Sequence, residues 1–296
     1  MKNVLTLLVA ILFTAGMSFA QNNDADVTQT GYDNEATVDQ SGSDNEATVV
    51  QVHNRTHGSL GINLADIEQI GSGNTADVYQ QNRGQYAAAG NNNRVDLLQD
   101  GSDNNADIHQ GIARGNDVRL SQIGSDNDAD IYQHQGSKLS GYGSEGTAVQ
   151  EGRGNRLEFI SNHWNNAGIS QRGDDNLADL VQNSRSDLQL LQDGNDNEAR
   201  LVQSDSYADI HQSGDGNILN GLAGLESTAV QSDDASLTVI QDGFDNELFV
   251  GQNGASIATV NQIGDYNMGT VDQVGAHTGT LSQYGNNNVG SIIQSN

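Results

Sequence analysis

The chain is poor in several residue types that most globular proteins use. It has no cysteine and no proline among 296 residues, and its aromatic content is 5%. Without cysteine it has no disulfide framework, thiolate nucleophile or cysteine-type zinc site. The lack of proline favours a chain made of paired strands, because proline cannot donate to a β ladder. Only 12 Lys and Arg oppose 39 Asp and Glu, and a net charge of −27 disfavours binding to nucleic acid.

Long apolar runs are also missing beyond the N-terminus, so no later segment approaches the ~20 residues of a membrane-spanning helix. Lys2 precedes an apolar core at residues 4–13, and Ser18-Phe19-Ala20 forms a small-x-small site. This pattern predicts a secretory signal peptide over residues 1–20, cleaved after Ala20, and a mature chain of residues 21–296. A transmembrane anchor is the alternative, but the apolar core is short for it.

A seven-residue pattern, Asn/Ser-x-small-x-aliphatic-x-Gln, fills the rest of the chain in 24 copies from Asn23 to Gln294. Residues 34–40 read NEATVDQ and residues 45–51 read NEATVVQ. Low hydrophobicity with high net charge is typical of disorder, but a disordered chain needs no register. Self-similarity at a fixed period therefore decides the architecture. Copies beginning at Ser144 and Leu225 are taken as separate strands.

Many copies are 11 residues apart, a period that can also indicate a right-handed helical supercoil. Glycine in a fixed position argues against helices, since each interior glycine costs about 1 kcal/mol relative to alanine. The apolar residues alternate, as at Ala129 and Ile131, and period 2 is the strand signature. Each copy is therefore predicted to be a strand that directs its Asn, small, aliphatic and Gln residues to one side.

The segment Gln-x-Gly-x-x-Asn joins twelve pairs of copies, whereas the other connections vary in length. We interpret it as a tight turn that uses the positive φ available to glycine. One fixed and one variable corner predict an all-β fold: a two-strand-per-coil cross-β solenoid of about twelve coils over residues 21–296. A meander or sandwich is the alternative. The predicted turn glycines are Gly31, Gly42, Gly71, Gly101, Gly124, Gly173, Gly194, Gly243, Gly264 and Gly285.

Inward amides are the unusual feature of this solenoid. A buried amide without partners costs ~1–3 kcal/mol, but identical amides stacked on successive coils satisfy one another. The alternative is that they only border the turns. The predicted ladder positions are Gln29, Asn34, Gln40, Asn45, Gln51, Gln69, Asn74, Gln80, Gln99, Asn104, Gln110, Gln122, Asn127, Gln133, Gln171, Asn176, Gln182, Gln192, Asn197, Gln203, Gln241, Asn246, Gln252, Gln262, Asn267, Gln273, Gln283, Asn288 and Gln294.

Both terminal copies, residues 23–29 and 288–294, carry the full pattern. Natural solenoids usually close their ends with polar capping repeats, because an open edge recruits other chains. We therefore expect uncapped ends that complement each other. A head-to-tail contact of this kind grows a filament, so the expected function is a secreted subunit that polymerises with itself into an extracellular fibre.

The full motif, Gln-x-Gly-x-x-Asn-x-Ala-x-x-x-Gln, resembles the curlin repeat of bacterial curli fibre subunits. The chain matches it letter for letter from Gln29, Gln40, Gln69, Gln99, Gln122, Gln171 and Gln192. The resemblance implies export through a curli secretion channel, nucleation by a nucleator subunit at the bacterial surface, and a role in biofilm and adhesion. It also implies that the inward Gln and Asn are the amyloid-forming positions.

The complete last repeat favours the major subunit, and the minor nucleator is the alternative. The departures are Ser161 and Ala223 at Gln positions, Leu225 at an Asn position, and no long Gly/Asn-rich segment after the signal. We expect local weakness near residues 217–235.

Motifs for other chemistry are weak, so we expect no enzyme activity, no cofactor and no metal. Of seven histidines, His53 and His57 come nearest to a metal-binding spacing, with no Glu between them. Residues 141–146 match a dinucleotide fingerprint only by letter, and Glu198 stands where a calcium loop requires glycine. A catalytic solenoid acting on polysaccharide, or a solenoid binding metal, ice or glycan, are the alternatives.

If alternate strands share a face, Asp77, Asp107, Asp130, Glu158 and Asp179 form one acidic column. Two charges ~4.8 Å apart in water repel by about 0.9 kcal/mol. We hypothesise that low pH or divalent cations hasten assembly. The alternative is a solubilising face that guards against aggregation.

Overall fold

The computed structural model describes residues 22–55, 62–84, 92–111, 115–134, 138–140, 148–221 and 229–295. These residues form 25 strands, which pair into a 13-stranded and a 12-stranded sheet, here called sheet 1 and sheet 2. Across the described ranges no helix is long and apolar enough to cross a bilayer.

Sheet 1 contains the strands that open the two-strand coils. They are β1 (Asp24–Gly31), β3 (Glu46–Arg55), β5 (Thr75–Gly84), β7 (Asn105–Gln110), β9 (Asp128–His134), β12 (Arg156–Asn162), β14 (Leu177–Asn183), β16 (Glu198–Ser204), β18 (Ile218–Gly221), β19 (Ala229–Ser232), β21 (Glu247–Asn253), β23 (Met268–Val274) and β25 (Val289–Ser295).

Sheet 2 contains the strands that close the coils. They are β2 (Asn34–Ser43), β4 (Asn63–Ser72), β6 (Asn93–Ser102), β8 (Asp117–Ser125), β10 (Lys138–Ser140), β11 (Ala148–Arg153), β13 (Asn166–Arg172), β15 (Asp187–Asp193), β17 (Tyr207–Ser213), β20 (Ser236–Asp242), β22 (Ile257–Ile263) and β24 (Thr278–Tyr284).

All strand pairs are parallel and in register, so that equivalent residues of alternate copies lie on one another. Between β3 and β5, for example, Ala47 pairs with Ala76 and Gln51 with Gln80. The chain alternates between the two sheets at nearly every step. The predicted fold, an all-β solenoid with two strands per coil, is confirmed.

The alternation of the sequence produces the thin core between the sheets. In β14 every second residue is buried, and Ala178 and Leu180 are 0% and 1% exposed. Small and aliphatic residues from both sheets form one continuous cluster along the solenoid. The residues between them face outward, and this is why the two faces tolerate varied side chains.

The fixed corner leads from sheet 2 to sheet 1, and its glycines stack closely. Gly124 has φ +117°, and a Cβ added there would lie 2.0 Å from the carbonyl oxygen of Gly152 on the next coil. A side chain is therefore excluded by the stacking as well as by the backbone conformation. Gly31 differs, because its turn lies at the variable corner, where an added Cβ would meet the oxygen of His53 at 1.8 Å.

The structure corrects the number of copies. β10 and β11 both lie between β8 and β13, and β18 and β19 both lie between β16 and β21. Each pair is one level of the solenoid, here called a rung, that is interrupted after its first half. Sheet 1 therefore has 13 − 1 = 12 rungs and sheet 2 has 12 − 1 = 11.

The interpretation of Ser144 and Leu225 as starts of separate strands was wrong. β11 completes the rung that β10 begins, and β19 completes the rung that β18 begins. Ala148 pairs with Leu120 and Ala229 with Leu201. The Gln position of the later rung is filled by Gln231, which pairs with Gln252. Ala223 and Leu225, predicted at Gln and Asn positions, lie outside the described residues.

Candidate functional site: amide ladders and end strands

The inward glutamines of sheet 2 form an unbroken chain of hydrogen bonds. Each Nε2 donates to Oε1 of the next rung over 2.7–3.0 Å. The second Nε2 proton goes to the backbone, as where Gln122 approaches the carbonyl oxygen of Asn105 at 2.8 Å. The members are Gln40, Gln69, Gln99, Gln122, Gln150, Gln171, Gln192, Gln212, Gln241, Gln262 and Gln283. These buried amides are therefore satisfied by one another and by the corner backbone.

Sheet 1 has a second glutamine ladder with the same direction and one interruption. It runs through Gln29, Gln51, Gln80, Gln110 and Gln133, and then through Gln182, Gln203, Gln231, Gln252, Gln273 and Gln294. Ser161 occupies the position between Gln133 and Gln182. Because serine is too short, Oε1 of Gln182 is buried without a hydrogen-bond partner. The same rung contains Phe159, the largest of the fully buried side chains.

Sheet 1 also has a continuous asparagine ladder beside the fixed corner. Here the direction is reversed, since Nδ2 of each later asparagine donates to Oδ1 of the earlier one over 2.8–3.3 Å. Nδ2 also reaches the glycine of the next coil, as from Asn176 to the oxygen of Gly194 at 2.8 Å. The members are Asn23, Asn45, Asn74, Asn104, Asn127, Asn155, Asn176, Asn197, Asn217, Asn246, Asn267 and Asn288.

The corresponding row of sheet 2 is an amide ladder only at its start. Asn63 donates to Asn34 at 2.9 Å and Asn93 donates to Asn63 at 3.0 Å. Farther along, the row continues with Ser186, Ser206, Ala235, Ser256 and His277. Among the described residues, the fixed corner is thus cross-linked by asparagines from the first rung of sheet 1 to the last, whereas the row at the variable corner changes to serine, alanine and histidine.

The predicted ladder residues all lie in these rows, and the structure adds members that the prediction omitted. They are Gln150, Gln212, Gln231, Asn23, Asn63, Asn93, Asn155 and Asn217, together with the corner glycines Gly152 and Gly214. The signal was present in the sequence, because Gln150-x-Gly152-x-x-Asn155 has the same spacing as the arcs that were included.

The end strands leave these ladders unfinished. Nδ2 of Asn23 is buried without a partner. The core-facing residues of the end rungs, among them Val27, Val38, Leu281 and Ile292, are only partly buried. Because the ladders have a direction, Gln29 and Gln40 turn acceptor oxygens towards one end, and Gln283 and Gln294 turn donors towards the other.

Outward carboxylates align as the repeat predicts. Asp77, Asp107 and Asp130 lie on successive rungs of sheet 1, followed by Glu158 and Asp179. Burial, together with Asp130 and Asp77, raises the pKa of Asp107 above its usual value. On sheet 2, burial and Asp96 raise the pKa of Asp66. Among the described residues no three His, Asp or Glu are grouped to hold a metal ion.

Two segments of the chain match a known family model, the curlin-associated repeat, at residues 20–52 and 90–124. The chain therefore contains curlin-associated repeats in these two segments. The first match includes β1 and β2 and the second includes β6 and β7 with the fixed corner between them. No curated protein matches the chain. Curlin repeats in a parallel β-solenoid suggest a curli-type structural subunit.

Proposed function

We propose that this curlin-repeat protein is a secreted structural subunit that polymerises head to tail into extracellular curli-type amyloid fibres. Residues 1–20 act as the signal peptide, and residues 21–296 form one solenoid that is the fibre subunit. The fibres lie at the bacterial surface, where they support the biofilm matrix and adhesion. A curli secretion channel and a nucleator subunit are the partners that this function requires. The proposal rests on the unfinished glutamine ladders, which present acceptors at one end of the solenoid and donors at the other.

Sheet 1 has one rung more than sheet 2, so a second copy continues both sheets only when it is turned by half a turn about the solenoid axis, with its β1 on β24 and its β2 on β25. Nε2 of Gln283 then faces Oε1 of Gln29, and Nε2 of Gln294 faces Oε1 of Gln40, as between internal glutamines. Nδ2 of Asn34 faces Oδ1 of Asn288, as Asn63 faces Asn34 within one copy. A head-to-head contact would bring acceptor to acceptor in the glutamine ladders. Unlike ends therefore join, and this heterologous contact grows without closing.

The joint also completes the core. Ile292 of β25 and Val27 of β1 occupy the aliphatic position of their rungs and are only partly buried. Covering them in a joint removes apolar surface from water, worth roughly 25 cal/mol per Å². The same register places the neutral residues Thr278 and Thr280 against Asp24 and Asp26. It also places Val289 against Glu35, so no carboxylate stacks on another between the strands of the joint.

The test is growth of the mature chain, residues 21–296, from preformed fibre seeds. Thioflavin fluorescence should rise without lag, and aligned fibres should diffract at ~4.8 Å along their axis. Ile292→Asp should abolish seeded growth, because it buries a carboxylate in the joint. Ile293→Asp is the matched control: it lies on the same strand but faces outward with 71% exposure, and it should grow within a few-fold of wild type. A wild-type chain that stays monomeric with seeds present would refute the proposal.

A further inference from the structure

Sheet 1 has an apolar stripe on its outer face that runs along the solenoid. The outward residue immediately before the glutamine position is apolar or a ring on eight successive rungs, from Val50 on β3 to Val230 on β19. Tyr79, His109 and Tyr132 contact one another edge to face, with centroids 4.7 and 4.8 Å apart. We call this row the apolar lane.

Sheet 2 has the same fold and the same pattern but no such lane. Its equivalent row begins with Asp39 and Glu68 and is interrupted by Ser121 and Ser170. The longest run of apolar or ring residues there covers three rungs, from Leu191 to Ile240. The lane is therefore a property of one face, and the repeat does not require it.

Two other rows flank the apolar lane, each about 7 Å away because alternate residues of a strand are two rises apart. On one side is the acidic lane, Asp77, Asp107, Asp130, Glu158 and Asp179. On the other side is a row that includes Gln81, His134, Asn162, Asn183 and Ser204, each of which carries N–H or O–H groups. We call it the donor lane.

We propose that this face of sheet 1 docks a second copy of the chain, so that two fibres pair side by side. The inference rests on the proposed function, since pairing concerns the fibre. A twofold axis parallel to the solenoid places the apolar lane against itself and reverses the strands across the interface. The acidic lane of one copy then faces the donor lane of the other.

The opposed residues are complementary on successive rungs. Asp130 faces His134, Glu158 faces Asn162, and Asp179 faces Asn183, because each pair belongs to one strand and is related by the axis. The same patch thus serves both copies, as an isologous contact requires. The packing is that of a steric zipper, in which side chains of paired sheets interdigitate.

The size of the face fits a stable contact. Eight rungs at ~4.8 Å extend about 38 Å, and three lanes about 20 Å across give roughly 760 Å² per copy, close to the ~800 Å² per partner of a standard interface. Along a fibre these contacts add without further loss of freedom. The net charge of −27 opposes pairing, so pairing should strengthen as salt screens the faces. Because sheet 2 has no lane, each copy offers one such face, and the half turn between successive copies places these faces alternately on the two sides of the fibre.

Two matched variants test the face. Val181→Lys puts a charge in the apolar lane on β14, and Leu191→Lys puts one at the equivalent, similarly half-buried position of sheet 2 on β15. Mass per length measured by electron microscopy should be that of two or more fibres for wild type and Leu191→Lys. It should fall to that of one fibre for Val181→Lys, with the elongation rate unchanged. Equal mass per length in all three would overturn the pairing.

Cross-linking gives an independent readout, because the natural chain has no cysteine. One copy fills 23 rungs over two sheets, so along one fibre a given residue recurs only after about 55 Å at ~4.8 Å per level. A short bis-maleimide can therefore join two Val181→Cys chains only across a lateral contact. We expect a covalent dimer from Val181→Cys and none from Leu191→Cys. Dimers from both variants, or from neither, would contradict docking through the outer face of sheet 1.

A cationic partner is the other occupant that this acidic face could take. If wild-type fibres are single and a Leu/Lys amphipathic peptide protects Val181→Cys from maleimide, the occupant is that partner and self-pairing is wrong. If fibres form but stay single and unprotected, this inference alone fails. If no fibres form, the proposed function fails, and cross-linking of the soluble Val181→Cys chain decides the face by itself: a dimer supports it and a monomer overturns it.

Discussion

At the scale of single residues, the amide ladders concentrate stability in side chains that a globular core would exclude. Gln122 accepts from Nε2 of Gln99 and donates to Oε1 of Gln150 and to the oxygens of Asn105 and Asn127. All of these groups are removed from water. The amides therefore act as a connected network whose members depend on each other.

Gln122→Ala should be costly for this reason. It leaves the amides of Gln99 and Gln150 without their Gln122 partner, each worth ~1–3 kcal/mol when buried. It also removes the side-chain bond to the oxygen of Asn127, which keeps only its bond from the N–H of Asn105. We expect at least ~3 kcal/mol of lost stability in denaturant unfolding of the soluble chain. Ile123→Ala, next to it but outward-facing, is the control and should cost under ~0.5 kcal/mol. Equal losses at the two positions would mean that the ladder contributes nothing beyond packing.

The residue scale also shows how far the sequence could predict the ladders. Identical letters at a fixed period predicted which residues face inward, including Gln122. They could not predict the direction of the ladders, because an amide carries both a donor and an acceptor. The rung with Ser161 shows another limit: Leu157 and Phe159 enlarge its core positions while the ladder side chain shrinks. Such exchange of volume within a rung follows from packing and is not visible in the pattern.

At the scale of elements, the two interrupted rungs follow one plan. In each, a leucine stands at the small position and an alanine at the aliphatic position: Leu139 with Ala148, and Leu219 with Ala229. The letters of residues 144–150 and 225–231 imitate a complete copy, so the sequence alone suggested 24 strands where the described residues form 12 + 11 = 23 rungs. Only the pairing partners distinguish a full strand from the second half of a split one.

Deleting residues 221–228 should therefore keep the fold. The join brings Ala229 directly after Asn220 and gives Asn-Ile-Leu-Asn-Ala-Val-Gln, one uninterrupted copy in the register of β16 and β21. Stability should be unchanged or higher, since a shorter connection costs less loop entropy. Thermal unfolding followed by circular dichroism measures this. Deleting residues 197–204 from an uninterrupted rung is the control and should unfold the chain, because it removes a full strand and exchanges the corners.

At the scale of the whole molecule, charge opposes both folding and assembly. Asp107 is surrounded by Asp77, Asp128, Asp130 and His109, and burial with the nearby aspartates raises its pKa. Burial lowers the pKa of His109, and this ring acts on the pKa of Asp107 less than burial and the two nearest aspartates do. The surrounding field therefore favours the protonated carboxyl of Asp107.

This predicts a pH dependence with a defined sign. A carboxyl whose folded pKa lies above its unfolded value binds its proton more tightly when folded. Its contribution to stability is full below the unfolded value and is lost as pH rises through the raised one. Stability at this site should therefore increase as pH falls from 7 towards the unfolded value. Asp107→Asn should raise stability at pH 7 and flatten the profile, and Asp39→Asn on the other sheet is the control. Parallel profiles of stability against pH for wild type and Asp107→Asn would contradict the raised pKa of Asp107 in the acidic lane.

The head-to-tail joint can be tested at a single glycine without disturbing the solenoid that carries it. A Cβ added at Gly264 would lie 2.4 Å from the oxygen of Gly285, whereas one added at Gly285 meets only Nδ2 of Asn288, at 4.0 Å. In the joint, Gly31 of the next copy takes the place relative to Gly285 that Gly285 takes relative to Gly264. Gly285→Ala should then cost the monomer only the strain of its positive φ, ~1–3 kcal/mol, but should block the joint.

Gly285→Ala should accordingly act as a chain terminator. Its intact N-terminal end can still add to the C-terminal end of a wild-type fibre, after which no further copy can dock. Substoichiometric amounts should therefore slow seeded wild-type growth, while circular dichroism shows a folded monomer. Tyr284→Ala, outward-facing on the same rung, is the control and should leave growth unchanged. If Gly285→Ala elongates seeds at the wild-type rate, the copies do not stack corner on corner, and the unlike ends of the ladders are not what joins them.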